Sequence, residues 1–566
     1  MDEGKLESRL ARLYGAEVAR ELAPRLITRI HRGALPPRPQ WDERDVVLIT
    51  YGDSISAPGE PPLQTLRRFA RQRLWGLIST IHILPFFPYS SDDGFSVADY
   101  RTVHPMLGDW DDVKGLSDDF DLMFDFVLNH ISSRSDWFKQ FLGDRRPGRD
   151  YFIVIDGDEV DLSGVVRPRV RPLLAEFETE EGPRRVWATF SEDQLDLNYE
   201  NPDLLLEMVD IFQDYLLRGA RVVRLDAVAF LWKRIGTPCI HLEETHEVVK
   251  LLRDVAQAVA PGSLVLTETN VPHRENVSYF GAGDEAHVVY QFSLPPLLLH
   301  ALHTGNARYL TRWSASLQSA PRGCTYLNFT ASHDGIGLRP VEGILPHDEV
   351  EALVTGMQSA GGYGSFRDLG GGRRAVYELN ITYFDALRGT AEHREDGLQV
   401  PRFVCSQLVA LSLQGIPALY VQSVVATEND HERVDQIGAF RAINRSKWAL
   451  SHVDALLDDP TAPQHHVYQA LRHALSVRRQ LPAFHPDVRQ RTLPLHDDIF
   501  AIERLPDEGE PVLVLTNVTA KPVAAPLPPA YRGMPLRNAL TDVTVDAGQS
   551  HYELDRYQVA WIVRQQ

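Results

Sequence analysis

Val222-Val223-Arg224-Leu225-Asp226 is an apolar run that ends on a carboxylate, and the chain repeats that arrangement. Leu122 to Leu128 leads into Asn129-His130, Leu264-Val265-Leu266 leads through Thr267 to Glu268, and Tyr326-Leu327-Asn328-Phe329 precedes His333-Asp334. Val46 to Tyr51, Ile78 to Leu84 and Ile416 to Tyr420 are further short apolar runs, with helical patterns over 63–72, 203–217 and 244–259 between them. Runs that are continuously apolar, not alternating, are strands buried on both faces, as in parallel sheets. Strand–helix alternation sustained in this way predicts a barrel or a doubly wound sheet. The polar residues decide between them. In a (β/α)8 barrel the C-terminal strand ends form the rim on which active sites are built. A dinucleotide-binding sheet would need a glycine fingerprint after its first strand, and Tyr51-Gly52-Asp53-Ser54 is not one.

The expected fold is therefore α/β: a (β/α)8 TIM barrel with an inserted domain after strand 3, a loop insertion after strand 7 and a C-terminal β-domain. Residues 1–44 read as a charged, helical N-terminal arm and 45–489 as the barrel. Residues 133–190, rich in Arg, Pro and Asp, interrupt the alternation after the third strand as an inserted domain B. Residues 335–395 form an inserted lid region carrying Gly361-Gly362-Tyr363-Gly364 and Gly370-Gly371-Gly372; long segments of this kind are usually binding loops or lids. From 490 to 566 the pattern turns to strands, as in Ile499 to Ile502, Val512 to Leu515 and Val559 to Val563.

Composition narrows the function. The chain has 566 residues, 43% hydrophobic and 24% charged, which are ordinary globular values. Lys plus Arg number 58 against 77 Asp plus Glu, a net charge of −19, so no global attraction to nucleic acid or to an anionic membrane is expected. The 3 cysteines, Cys239, Cys324 and Cys405, are far apart and without metal-site spacing, which fits a reducing compartment. Phe403 to Ala426 is uncharged but interrupted by Gln407, Gln414, Gly415 and Pro417, so it reads as a buried helix followed by a strand, not a membrane span. The N-terminus has no apolar signal segment, and a cytoplasmic location is expected.

Asp226, Glu268 and Asp334 are thus predicted at the ends of three strands of one barrel. Singly, a carboxylate after a strand is commonly a helix N-cap. Together on one rim they suit acetal chemistry: two carboxyls about 5–5.5 Å apart can perform retaining glycosyl transfer, one as nucleophile and one as acid/base. Arg224 points to the same side as Asp226, because strand side chains alternate, and a fixed cation there holds a carboxylate ionised.

Ile81 to Phe87, Asp125 to His130, Val223 to Ala227, Leu266-Thr267-Glu268 and Ala331 to Asp334 resemble, in order, the conserved-region motifs of the α-amylase superfamily. The resemblance implies Asp226 as nucleophile, Glu268 as general acid/base and Asp334 as the carboxylate that stabilises the transition state, with His130, Arg224 and His333 around the glucosyl ring. Asp92 to Phe95, Leu107 to Trp110, Phe292 to His300, Asp334 to Gly337 and Ile443-Asn444-Arg445 are similar to the sucrose phosphorylase group. That likeness implies a donor pocket closed by Asp92, Phe95 and Arg441, with Gln194 beside it, and inorganic phosphate as co-substrate without any other cofactor.

Where sucrose phosphorylases carry Gly-Tyr-Gly-Ala-Lys, this chain reads Ala229-Phe230-Leu231-Trp232-Lys233, and where they carry Glu-Val-His it reads Glu268-Thr269-Asn270. Both departures border the acceptor side and resemble the glucosylglycerate phosphorylases of the same group. The expectation is reversible phosphorolysis of 2-O-α-glucosylglycerate, with sucrose, sucrose 6-phosphate and glucosylglycerol as alternative substrates and an α-glucoside hydrolase as the alternative activity. The partners are then a small α-glucoside and phosphate, both acceptors being anions, for which Lys233, Arg167, Arg169, Arg171, Arg339, Arg367, Arg373 and Arg374 are the candidate cations. Asn270 is expected on the acceptor side. No acidic oxygen cluster accompanies Asn129, so no metal is expected. The oligomeric state is open.

Overall fold

The computed structural model describes residues 3–157, 160–169, 171–368 and 374–565. Eight strands close into a barrel: β1 (Val47–Thr50), β2 (Thr80–Ile83), β3 (Asp121–Val127), β4 (Ala220–Asp226), β5 (Leu264–Thr267), β6 (Val288–Tyr290), β7 (Thr325–Phe329) and β8 (Ile416–Tyr420). Every neighbouring pair is parallel, and β8 returns to pair with β1. Nearly all strand residues are buried, because helices cover the outside and side chains fill the inside. Seven strands coincide with the apolar runs. The eighth, β6, has three residues and falls below the length at which such a run stands out.

The intervening helices follow from capping and amphipathy. Helix Pro202–Leu217 starts on Asn201, whose side chain accepts from the Asp203 N–H at 2.9 Å, has Pro202 in its first turn, and buries Leu204, Leu205, Met208, Val209 and Phe212 against the barrel. Gly219, at φ 105, turns the chain back into β4. The uncharged stretch 403–426 is helix Gln399–Ser412, strand β8 and the short turn Val421–Val424. Among the described residues no helix is long and apolar enough to cross a membrane.

Two helices, Glu3–Tyr14 and Ala16–Arg29, precede the barrel. The first docks through Arg9, which ion-pairs with Asp254 at 2.8 Å and Glu247 at 3.3 Å. After β3, segment 133–190 contributes helix Asp136–Leu142 and hairpin Leu174–Thr179/Gly182–Trp187. After β7, strand Ile336–Gly337 joins hairpin Tyr363–Asp368/Arg374–Asn380 in a three-stranded sheet beside helix His347–Ser359. Both excursions leave from the C-terminal rim and so stand around one mouth.

The last part is a six-stranded antiparallel sheet built on Arg489–His496, Ile499–Leu505, Val512–Asn517 and Val559–Arg564. Its strands alternate between two cores. Phe500, Ile502, Val514 and Trp561 join the barrel core, whereas Ile499, Ala501, Leu513, Leu515 and Ile562 form a second one. Both faces are therefore buried, which accounts for the unbroken apolar runs there.

Candidate active site

Asp226 ends β4, Glu268 directly follows β5, and Asp334 lies five residues beyond β7. With Asp92, Phe95, His130, Gln194, Asn270, His333 and Arg441 they line one cavity in the barrel mouth. Arg224 sits beneath it. Its Nη1 donates to Asp226 Oδ1 at 2.7 Å and to Asp125 Oδ1, and Asp125 Oδ2 meets His82 Nε2 at 2.7 Å. The guanidinium lies between the rings of Phe95 and Tyr290, at 5.7 and 5.8 Å. Burial alone would raise Asp125, but Arg224 and then His82 bring it down to about 2. A charged residue inside an apolar strand must be paired to be tolerated, and Asp125 is the anion that keeps Arg224 in place.

Asp226 lies within the electrostatic reach of Glu268. Ala227, in the left-handed region at φ 53, turns its N–H onto Glu268 Oε2 at 3.0 Å. Such a conformation costs on the order of 1–3 kcal/mol in a non-glycine residue, and here it ties the two carboxyls together. Burial raises both above the ordinary carboxylate range, with the opposite carboxylate adding to the rise at Asp226 and Asp334 at Glu268. Arg224 donates directly to Asp226, whereas Glu268 receives only a backbone N–H, so of the two Asp226 is the better supported as an anion.

Arg441 organises the third carboxylate. Its Nη1 is 2.6 Å from Asp334 Oδ1, and its Nε and Nη2 donate to the two oxygens of Glu378 at 3.0 and 2.6 Å. Although burial opposes it, Arg441 holds Asp334 well below the usual range. Glu378 is 1% exposed and comes from the inserted hairpin; a Cβ on Gly335 would stand 2.5 Å from its Cγ. Position 335 therefore accepts only glycine without displacing this pair.

Asp92 and Arg441 line the same cavity, but the arginines nearest Asp92 are two others. Arg445 Nη1 is 3.6 Å from Asp92 and 2.8 Å from Asp93, while Arg169 Nη2 approaches Asp92 at 3.4 Å. Arg441 is turned away by Glu378 and Asp334. Burial opposes ionisation of Asp92, but Arg169, Arg445 and Arg441 hold it low. Phe95 stacks on His333 at 4.7 Å, and its carbonyl accepts from Gln194 Nε2 at 3.3 Å and lies 3.0 Å from His130 Nε2. Burial lowers His130 to about 4 and His333 to about 3, so both are neutral at neutral pH and act by hydrogen bonding.

Lys233 corrects the sequence expectation. It does not line the cavity: its ammonium is buried 2.5 Å from Asp196 Oδ2 and 2.9 Å from Asn129 Oδ1, and also donates to the Phe230 carbonyl. Three oxygens consume its donors, leaving none for an acceptor molecule. Among the described residues no cluster of three His, Cys, Asp or Glu side chains is arranged to hold a metal. Of the loop arginines, Arg169 and Arg339 reach the cavity; Arg367 is bound to Glu342, Arg167, Arg171 and Arg374 do not line it, and Arg373 lies outside the described residues. The sequence did not single out Glu378, Tyr377 or the part played by Arg445. A buried acid opposite a buried arginine is a pairing that only the folded loops reveal.

The site defines the class: a parallel barrel with three carboxylates, Asp226, Glu268 and Asp334, around one cavity in its mouth. Residues 76–334 match the alpha-amylase catalytic domain family. The chain is 43% identical to the glucosylglycerate phosphorylase of Spirochaeta thermophila, over 99% of this chain and 98% of that one. It is 46% identical to the glucosylglycerate phosphorylase of Allomeiothermus silvanus, over 85% and 86% of the two chains. In architecture it is similar to the sucrose 6F-phosphate phosphorylase of Thermoanaerobacter thermosaccharolyticum, with a TM-score of 0.75 at 23% identity, covering 93% of this chain and 100% of that one. The protein belongs to the alpha-amylase family, among its glycoside phosphorylases, which are glycosyl-transferring enzymes.

Proposed function

We propose that the protein catalyses reversible, retaining phosphorolysis of 2-O-α-D-glucosyl-D-glycerate to α-D-glucose 1-phosphate and D-glycerate. The observation that carries the reading is the full-length identity to glucosylglycerate phosphorylases, and the cavity chemistry agrees with it. Asp226, kept anionic by Arg224, attacks C1 of the glucosyl group while Glu268 gives its proton to the departing O2 of glycerate. A β-glucosyl ester on Asp226 results. Phosphate then attacks C1 from the face glycerate left, the C1–Asp226 bond breaks, and a proton returns to Glu268. Asp334 stabilises the oxocarbenium-like transition state. Asp92, Phe95, His130, Gln194 and His333 line the glucosyl ring, and segments 133–190 and 335–395 wall the acceptor side.

This chemistry needs no cofactor beyond phosphate as co-substrate. A cytoplasmic location follows from the substrate and is supported by three buried, unpaired cysteines. The test is synthesis from α-glucose 1-phosphate, with phosphate release measured against D-glycerate, glycerol, fructose, fructose 6-phosphate and water. Release strongly favouring glycerate is expected. Preference for another acceptor would move the substrate within the phosphorylases, and release with water alone would make the protein a hydrolase.

A further inference from the structure

The cations of the cavity are unequal in what they have left to give. Arg441 is committed to Glu378 and Asp334, and Arg169 has an anionic neighbour in Asp92, 3.4 Å from its Nη2, with its guanidinium 5.6 Å from the centre of the Phe190 ring. His130 and His333 are uncharged. Arg339 is different. It lines the same cavity, its Nε is buried without a hydrogen-bond partner, and among the described residues none ion-pairs with it. Glu342 and Glu275 are the acids in its surroundings, and Glu342 is already bound by Arg367. Burial first, and the neighbouring Arg367 second, disfavour the charge on Arg339. A half-buried guanidinium without an ion-pair partner, next to another arginine, is a place where an anion is favoured.

A second unpaired group stands nearby. Asn270, two residues beyond Glu268, has a buried side-chain oxygen without a donor. Its amide packs on Gly337, two residues before Arg339: a Cβ there would stand 2.6 Å from Asn270 Oδ1. A fork of five donors and an unfilled oxygen thus flank the Glu268 side of the cavity. A small acid carrying a hydroxyl beside its carboxylate fills both.

We infer that Arg339 is a single anion seat used in turn by both acceptors, the carboxylate of the hydroxy acid and the phosphate dianion, with Asn270 receiving a hydroxyl. The inference rests on the phosphorolysis reading above. Retention requires both acceptors to meet C1 on the face opposite Asp226. In glycerate the carboxylate is attached to the carbon that bears the reacting O2. In phosphate the charged oxygens are attached to the phosphorus that bears the reacting oxygen. The charged oxygens lie beyond two atoms from the reacting oxygen in glycerate and beyond one in phosphate, a difference that a single flexible arginine side chain can span. One free arginine suffices where two separate sites would need two.

The test compares the wild type with Arg339→Gln and Arg339→Lys in three assays. These are phosphorolysis of glucosylglycerate against phosphate, synthesis against D-glycerate, and fluoride release from α-glucosyl fluoride with neither anion present. Loss of a charge-assisted bidentate contact predicts that Arg339→Gln raises both acceptor KM values about tenfold or more, in parallel. Arg339→Lys falls between the two, and fluoride release stays within about twofold, which shows that the donor half is intact. A rise in one KM alone, or in neither, overturns the shared seat. Failure of the phosphorolysis reading looks different: the wild type then releases no phosphate with D-glycerate, which overturns both.

Discussion

The two halves of the cavity are built on opposite principles. On the donor side every charge has a partner: Asp226 with Arg224, Arg224 with Asp125, Asp125 with His82, Asp334 with Arg441, and Arg441 with Glu378. On the acceptor side Arg339 has no ion-pair partner among the described residues; single buried polar atoms without a hydrogen bond occur on both sides, at Arg224 Nε and His333 Nδ1 as at Arg339 Nε and Asn270 Oδ1. A glucosyl group common to both directions of the reaction meets a preorganised wall, which needs no rearrangement as charge develops. The acceptor changes between half-reactions, and groups left unsatisfied by the protein are those that a changing ligand can satisfy. The difference teaches where specificity is held: the donor pocket is fixed by internal pairing, the acceptor pocket by what enters it.

The comparison breaks most severely at its anionic pivot. Asp226→Ala is expected to reduce phosphorolysis by about 10⁴-fold or more and to abolish the glucosyl-enzyme adduct seen by mass spectrometry of the intact protein. An adduct that persists would move the nucleophile elsewhere. Glu268→Gln comes next, with a loss of about 10²–10⁴ on glucosylglycerate but far less on α-glucosyl fluoride, whose leaving group needs no proton. Its pH dependence has a definite sign. The acid must be protonated in the first step, and burial raises its pKa, so kcat/KM for glucosylglycerate falls on the alkaline side at a pH above the ordinary carboxylate range. Glu268→Gln removes that limb.

Glu378 sharpens the comparison from the other end, since it touches no reacting atom and acts through Arg441. Glu378→Gln keeps the shape but leaves Arg441 with one anionic partner in place of two. Asp334 then competes alone for the guanidinium, whose fixed orientation is lost. A fall of about 10–100-fold in kcat is expected, equal for every acceptor and for α-glucosyl fluoride, because a misplacement of about 1 Å costs that much. A loss confined to anionic acceptors would assign Glu378 to the acceptor half instead.

Much of this was legible in the sequence, for a physical reason. Barrel strands buried on both faces read as apolar runs, and the carboxylates that end β4 and follow β5 and β7 sit at the rim by construction. What was not legible depended on loop paths. Arg441 and Arg445 are four residues apart around one short turn, Phe440–Asn444, and nothing in their spacing says which meets Asp92. Lys233 looked free because its partner Asp196 lies on strand Gln194–Asp196, just beyond the insertion after β3. Strand β6 escaped because Val288–Tyr290 is too short for a pattern. Asp125 gave the one usable signal: an acid inside an apolar strand announces a buried partner, and Arg224 is it.

The smallest expected effect is also the most discriminating. Gly337 has no positive φ, so alanine is allowed by the backbone, and the obstacle is contact alone: its Cβ would stand 2.6 Å from Asn270 Oδ1 and 2.7 Å from Nδ2. The Asn270 side chain must then move, while its backbone stays held by Thr269, which is anchored to Asn276 at 2.7 Å, and by the buried Val271. Gly337→Ala should therefore raise the KM for D-glycerate by a few-fold, about what one hydrogen bond contributes, with fluoride release from α-glucosyl fluoride unchanged. Phosphate, which depends on charge more than on a hydroxyl acceptor, should lose less. If donor turnover falls instead, the two halves are mechanically joined through the Asp334-to-Gly337 turn, and the division between a paired and an unpaired side does not extend to function.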